Sequence, residues 1–414
     1  MDPVEIRAPR GEEFHEIVAL ANIAFGEEAT EQDESAFRRA FPFDRALCAF
    51  DAGRLVGSLA VLSLELTLPG RAALPAGGAT WGATLPTYRR RGILRALFEA
   101  QLNDMMDRGD PLSVLLASEA PLYGRYGYGP ASSMMSFSID RAYARFAAPS
   151  EDSRPEGIAL VTGVEAAGRL AGIYETLRLE QPGAVTRSPG WWASYLWDPL
   201  MERQGATGMY HAVHTDRDGV ADGYVTYRIR EQWTASTPMG EVQVIELIAR
   251  DPDAYRALWE FVLGTDLCQT ISCWRGRVDE PLRWLLADPR RLAVNAVADD
   301  LYVRLLDIPR ALAAREYAAA GELVLEVSEP FPIARNGRFL LSTGGIGAGA
   351  ECRPTDRAPD LSLDVDALGA AYLGGVSYTT LAAAGRIRGA DRKVLASADA
   401  MFSTGIAPYC STMF

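Results

Sequence analysis

The chain has 414 residues, 48% of them apolar and 23% charged, with a formal net charge of −13. That length accommodates two or three domains with cores of their own. The acidic balance argues against nucleic acid, which needs a basic face, and suits a cationic partner as well as solubility.

Residues 1–146 read as one domain. A strand over Val4 to Ala8 leads to a helix over Glu12 to Ala24 and a second helical region over Asp33 to Phe41. A hairpin then pairs Ala46–Phe50 with Leu55–Leu66 across the turn Asp51-Ala-Gly53. A strand over Ala79–Leu85 meets Pro86, three arginines and Gly92. The next run places Leu94, Leu97, Phe98, Leu102 and Met105 at i, i+3, i+4 spacing, as in a helix with one buried face. Arg89, Arg90 and Gly92 therefore stand where a strand enters a helix. Free N–H groups there suit a phosphate or pyrophosphate, and glycine permits close approach. A solvated arginine cluster would give the same composition.

Missing motifs narrow the class of ligand. The single lysine, Lys393, lies in no Gly-x-x-x-x-Gly-Lys motif, which excludes the triphosphate cradle. No Gly-x-Gly-x-x-Gly separates a strand from a helix, which argues against a nicotinamide or flavin dinucleotide. The remaining Arg89-x-x-Gly92 resembles the coenzyme A pyrophosphate loop of GNAT acetyltransferases, with Leu94 where a small residue is usual. The apolar run Leu112–Ala117 reads as a buried strand. It leads into Ser118-Glu-Ala-Pro-Leu-Tyr123-Gly-Arg-Tyr-Gly127-Tyr128-Gly129. Tyr123 with Gly127-Tyr128 is similar to the Tyr-x-x-x-Gly-Phe/Tyr of those enzymes. A phenol with a pKa near 10 remains a proton donor at neutral pH. Packing in an aromatic loop is the alternative role for Tyr123. Met134–Ile139 is expected to close the domain.

Residues 147–300 repeat that order. Strand Ile158–Thr162 and helix Gly163–Leu179 precede a hairpin of Gly208–Thr215 with Tyr224–Arg230. Strand Glu241–Ala249, helix Asp253–Val262 and strand Leu267–Trp274 follow. The slot matching Arg89-x-x-Gly92 holds Arg250-Asp-Pro-Asp-Ala-Tyr255, whose carboxylates would repel pyrophosphate. A second acetyltransferase-like domain without cofactor is therefore expected. The aromatic stretch Trp191-Trp192…Trp197 suits core packing or an inter-domain contact. His211 and His214 fall on opposite strand faces, and with His15 they form no catalytic triad, so no metal is expected. The five cysteines (Cys48, Cys268, Cys273, Cys352, Cys410) are scattered, as core thiols in a reducing cytoplasm would be. No apolar run approaches the ~18 residues of a membrane span, and the first residues lack the apolar core of a secretory signal. A cytoplasmic protein without membrane contact is expected.

Residues 301–414 mix short strands (Leu301–Leu305, Leu323–Val327, Phe339–Ser342, Leu361–Val365) with Ala-rich helices (Pro309–Ala318, Asp366–Leu373, Thr379–Ala384, Lys393–Met401). This resembles the sterol-carrier-protein fold. The fold class is thus α+β: two tandem GNAT-like mixed-sheet domains followed by a sterol-carrier-like α+β domain.

That order resembles the "enhanced intracellular survival" family of mycobacterial aminoglycoside acetyltransferases, along the whole chain. The resemblance is most specific at Arg89-Arg90-Arg91-Gly92-Ile93-Leu94, at Ser118-Glu119…Gly129 and at the terminus; Leu94 agrees with this family. It implies acetyl-coenzyme A as co-substrate. The backbone of Gly82, Thr84 and Leu85 would hold the pantetheine arm, and Arg89, Arg90, Gly92, Ile93 and Leu94 the pyrophosphate, with Ser118 beside them. It implies Tyr123 as general acid and the α-carboxylate of Phe414 as general base. A tail without charged side chains from Met401 to Phe414 permits burial. Phe25, Glu27 and Glu28 would lie near the mouth of the acceptor pocket. The acceptor would be a primary amine of a cationic small molecule, and the assembly a homo-hexamer. The alternatives are a lipid carrier or scaffold with relic acetyltransferase domains, and a protein lysine acetyltransferase.

Overall fold

The computed structural model describes residues 4–148, 157–331 and 336–414. Met1–Pro3, the start of the stretch read above as lacking a secretory signal, lie outside them. The chain forms two compact units. One comprises Met1–Ser132, Leu179–Thr186 and Asp299–Phe414; the other comprises Ser133–Arg178 and Arg187–Ala298.

The first unit opens with strand β1 (Glu5–Arg7), helices α1 (Phe14–Phe25) and α2 (Glu31–Phe37), and strands β2 (Ala46–Asp51), β3 (Arg54–Thr67) and β4 (Ala73–Thr84). Helix α3 (Ile93–Asp107), strand β5 (Leu112–Leu116) and the short helix α4 (Ala120–Tyr123) follow. Strands β1 to β4 are antiparallel neighbours, and β4 runs parallel to β5. The spacing read from the sequence is realised in α3, which buries Leu97, Phe98, Leu102 and Met105. Gln101, also buried, donates to the carbonyls of Arg45 (3.0 Å) and Leu59 (3.1 Å), which fixes the helix on the sheet. Strand β4 begins at Ala73 rather than Ala79, because its first half completes the hairpin with β3.

Two strands lie in sheets other than those expected. Ser133–Asp140, expected to close the first domain, pairs with Cys268–Arg277 in the sheet of the second unit. Leu301–Leu305, expected to open the third domain, pairs antiparallel with β5 and with Gly129–Pro130, closing the first sheet. Periodicity specifies a strand, not its neighbour. Glycines make the second arrangement possible. A Cβ on Gly129 would lie 1.8 Å from the Asp366 carbonyl oxygen, and one on Gly369 would lie 2.2 Å from that of Val303. Helix Val365–Tyr372 thus rests with its backbone against the first sheet, and one apolar core runs from Leu66 and Val114 to Leu368 and Met401.

The sterol-carrier-like segment has a five-stranded sheet: Ala350–Pro354, Gly337–Gly344, Ala320–Ser328, Leu361–Asp364, Ile387–Arg388. The helix expected to reach Ala318 stops at Ala314, and Arg315 turns extended. Its buried guanidinium donates to the carbonyls of Tyr372 and Phe402, the last residues of helices Val365–Tyr372 and Arg392–Phe402. A cation there satisfies carbonyls that helices leave unpaired and offsets two dipoles.

The second unit is a seven-stranded sheet ordered Ala293–Asp299, Ser133–Asp140, Cys268–Arg277, Gly240–Ala249, Ala221–Arg230, Tyr210–Thr215, Ile158–Val161. Gly240–Ala249 and Cys268–Arg277 are parallel and joined by helix Pro252–Leu263, as β4 and β5 are joined by α3. Trp192 is buried in this unit's own core, against Tyr174. Cys268 and Cys273 are buried free thiols, and burial pushes Cys273 up to about 12.

Candidate active site

The candidate site lies where β4 and β5 part. They pair at Ala76–Leu112, Gly77–Ser113 and Gly78–Val114, and no further, although β4 continues to Thr84. A β-bulge bends β4 here. Between the pairs Ser58–Ala83 and Ala60–Thr80 it carries an extra residue, with Trp81 at φ 54° and its carbonyl accepting from Ser58 Oγ (2.8 Å). Such bulges bend and twist the strand that holds the additional residue. Among the described residues, β4 from Ala79 to Thr84 is paired only with β3, leaving the other edge open to an extended ligand. Thr84 Oγ1 is buried there without a hydrogen-bond partner among the described residues.

Past β4 the chain turns through Leu85–Arg91 to Gly92, the N-cap of α3 at φ 84°. No side chain caps this helix, so its first-turn N–H groups face outward. A Cβ on Gly92 would meet nothing within 4 Å; the requirement for glycine is conformational, not steric. Arg89, Arg90 and Arg91 are exposed. Arg89 reaches the carbonyl of Ala24 (3.2 Å), and Arg91 lies over the ring of Tyr88 (4.5 Å). Tyr88 donates to Asp51 (2.9 Å), which raises its pKa. Ile93 is buried and Leu94 half-buried against the core.

Beyond β5, Ser118 is exposed and Tyr123 is buried, their hydroxyls 3.2 Å apart. The Phe98 ring of α3 meets Tyr123 edge-on at 6.0 Å and stacks on Tyr126 at 4.4 Å. Burial raises the pKa of Tyr126 and pushes Tyr128, bonded to Ser113 at 2.7 Å, up to about 12. The buried Arg304 donates to the Tyr126 carbonyl and pairs with Glu329 (2.7 Å). The tyrosine loop is therefore held from the strand that closes the sheet.

The residues expected to form the site fall into three groups. Gly82, Thr84 and Leu85, Arg89 to Leu94, and Ser118 with Tyr123 line the divergence of β4 and β5. Phe414 lies beside it, its ring against Gly78 on the last paired rung. Phe25, the last residue of α1, and Glu27 and Glu28 just beyond it are exposed, with Gly26 in the left-handed conformation ending the helix. The side chains of Glu27 and Glu28 make no hydrogen bond or ion pair among the described residues. The sequence reading missed Trp81. Its ring packs between Phe14, Phe37 and Phe41, with centroids 6.0, 6.1 and 5.5 Å away. The aromatic spacing in α1 and α2 was the available signal. A groove of about 340 Å³ at Pro69, Glu316 and Thr404 contains none of these residues.

The corresponding helix of the second unit, Pro252–Leu263, begins with a side-chain cap. Asp251 caps it, accepting from the N–H groups of Asp253 (3.1 Å) and Ala254 (3.0 Å). A carboxylate thus accepts from the first-turn N–H groups that the Gly92 cap leaves without a side-chain partner among the described residues.

Three family models match successive parts of the chain. Acetyltransferase (GNAT) domain models match residues 5–131 and 183–305, and a sterol carrier protein domain model matches 308–411. The chain is 36% identical to the N-acetyltransferase Eis of Mycobacterium tuberculosis, covering 97% of this chain and 98% of that one. It is also 36% identical to an uncharacterised N-acetyltransferase of Streptomyces coelicolor, over 98% of each. The crystal structure of Eis1 from Mycobacterium abscessus superposes with a TM-score of 0.85 at 34% identity, covering 99% of this chain and 100% of that one.

Proposed function

Because the chain belongs to the Eis-type family of GNAT N-acetyltransferases, we propose that it moves an acetyl group from acetyl-coenzyme A to a primary amine of a cationic small molecule, aminoglycoside-like or polyamine-like. One observation carries the assignment of the working site. The α3 N-terminus is uncapped beside an opened strand edge, whereas its counterpart in the second unit is capped by Asp251. The residues fit the co-substrate: three exposed arginines suit a diphosphate, and the unpartnered Thr84 Oγ1 suits a polar group on the arm.

In this reading the open edge at Gly82, Thr84 and Leu85 binds the pantetheine arm as an added strand would be bound. Arg89, Arg90 and the N–H groups at Gly92, Ile93 and Leu94 hold the diphosphate at the positive end of the helix. Acetyl-coenzyme A supplies an activated acyl group. The Phe414 carboxylate, ionised at neutral pH, takes a proton from the substrate ammonium. The freed amine adds to the thioester carbonyl as the C–S bond breaks, and Tyr123, with Ser118 as hydrogen-bond partner, gives its proton to the departing sulfur and regains one from the nitrogen as the amide forms. Phe25, Glu27 and Glu28 attract and orient the cationic acceptor. Acid–base assistance of this kind contributes about 10²–10⁴-fold, and holding amine and thioester together contributes more.

Among the described residues no helix is long and apolar enough to cross a membrane. A cytoplasmic homo-hexamer is part of the proposal. A thiol-release assay with acetyl-coenzyme A against aminoglycosides, polyamines and lysine peptides tests it. Turnover with the aminoglycosides or the polyamines is expected; turnover with peptides alone, or with none of the three, overturns it.

A further inference from the structure

The C-terminal tail is held by residues that the reaction does not otherwise use. Gly183–Thr186, from the middle of the chain, lies antiparallel along the end of β3. Thr67 N–H donates to Ala184 O (2.8 Å), Gly183 N–H to Thr67 O (2.9 Å) and Thr186 N–H to Glu65 O (3.1 Å). Thr186 Oγ1 also accepts from Glu65 N–H (2.9 Å). The other end of the segment grips the tail. Tyr409 N–H donates to Pro182 O (2.9 Å), and Gln181 Nε2 donates to Ala407 O (2.9 Å). Gly183, at φ 94°, lies so close that a Cβ would sit 3.0 Å from Tyr409 O. A second anchor follows at once: the buried carboxylate of Asp300 accepts from Cys410 N–H (3.0 Å) and from Ser132 Oγ (2.9 Å). Cys410 and Thr412 are buried, and the path ends with the Phe414 ring on Gly78 of β4.

The tail thus starts from a segment docked on β3 and returns to β4, its partner in the same hairpin. Chain ends are ordinarily mobile, and an acid–base group is effective only when it is held near the productive geometry. We infer that Gln181–Thr186 and Asp300 form a two-point clamp that positions the Phe414 carboxylate for proton transfer. This rests on the reading of Phe414 as general base, and makes these groups positioning residues rather than catalytic ones. It also gives Leu179–Thr186 a task in the first unit, although sequence order places it within the second domain.

The test is a double-mutant cycle. Gln181→Ala and Asp300→Ala are made both in the full chain and in a chain lacking Phe414, with unfolding curves to confirm that each variant folds. In the full chain, kcat is expected to fall at least about tenfold while the KM for acetyl-coenzyme A stays within about twofold, as for loss of a proton-transfer group. In the shortened chain the same substitutions are expected to change nothing further. Asp300→Asn, which keeps an oxygen for Cys410 N–H, is expected to restore most of kcat. Equal losses in both backgrounds, or wild-type kcat in the full-chain variants beside a slow shortened chain, overturn the clamp alone. Full activity of the shortened chain overturns the base assignment itself.

Discussion

The ring of Phe414 lies against Gly78: a Cβ placed on that glycine would be 3.2 Å from Cε2 of the ring and 2.5 Å from Leu64 Cδ1. Gly78 is also the last residue of β4 paired with β5. The tail therefore ends where the sheet opens.

Gly78→Ala is expected to displace the Phe414 ring and to lower kcat about tenfold or more, as mispositioning does. Acetyl-coenzyme A affinity should change little, because the arginine loop is untouched. Steady-state kinetics beside a binding titration checks this; an unaltered kcat would show that the ring's position is immaterial.

Tyr123→Phe removes the hydroxyl that contacts Ser118 at 3.2 Å and leaves the ring on Phe98. The packing is conserved, so stability should change by no more than about 1.5 kcal/mol. Turnover should fall by about 10²-fold or more, with the KM for acetyl-coenzyme A preserved. Wild-type turnover would remove Tyr123 from the acid role.

Arg89→Ala combined with Arg90→Ala should weaken acetyl-coenzyme A binding and leave folding intact, since both side chains are exposed. Charge-assisted contacts to an anion contribute about 1.5–3 kcal/mol each when well formed, and exposed ones are screened by salt. The wild-type affinity should therefore fall with ionic strength more steeply than that of the variant. Parallel salt dependences would contradict a role for these arginines at the diphosphate.

The second unit carries a pH-sensitive group. Glu280 is buried and accepts a hydrogen bond from Tyr255 and another from the Leu282 N–H (3.5 Å). Burial pushes its pKa up to about 7. Because the folded value lies above the unfolded one near 4.3, the contribution to stability is complete below about pH 4 and is lost as pH rises through 7. The loss is of order 4 kcal/mol, at about 1.4 kcal/mol per pKa unit. Glu280→Gln should narrow the difference in unfolding midpoint between pH 5 and pH 8. An identical pH dependence in both proteins would show that Glu280 is not the source.

Local pattern revealed most elements, because α3, β5 and the hairpin of β2 with β3 each carry their periodicity within a short window. The arginine loop and Tyr123 were legible for the same reason: each motif is contiguous. Partnership was not. Nothing in Met134–Ile139 or Leu301–Leu305 encodes which sheet each joins, and the glycines that admit Leu301–Leu305, Gly129 and Gly369, are far apart in sequence. The tail clamp joins Gln181 to Ala407, again across a separation that no motif spans. Asp251 was read as a repelling charge, and its physical role is more specific. An Asp before Pro252 at the first helical turn is an N-cap signal, and the cap fills the anion position outright.

The central claim is that one opened strand edge, served by one uncapped helix, binds the acyl donor. Isothermal titration of the intact protein with acetyl-coenzyme A measures it most directly. One molecule bound per chain, with binding weakened in the Arg89→Ala/Arg90→Ala protein and unaffected by Asp251→Ala, is the expected result. Two molecules per chain, or none, would contradict it.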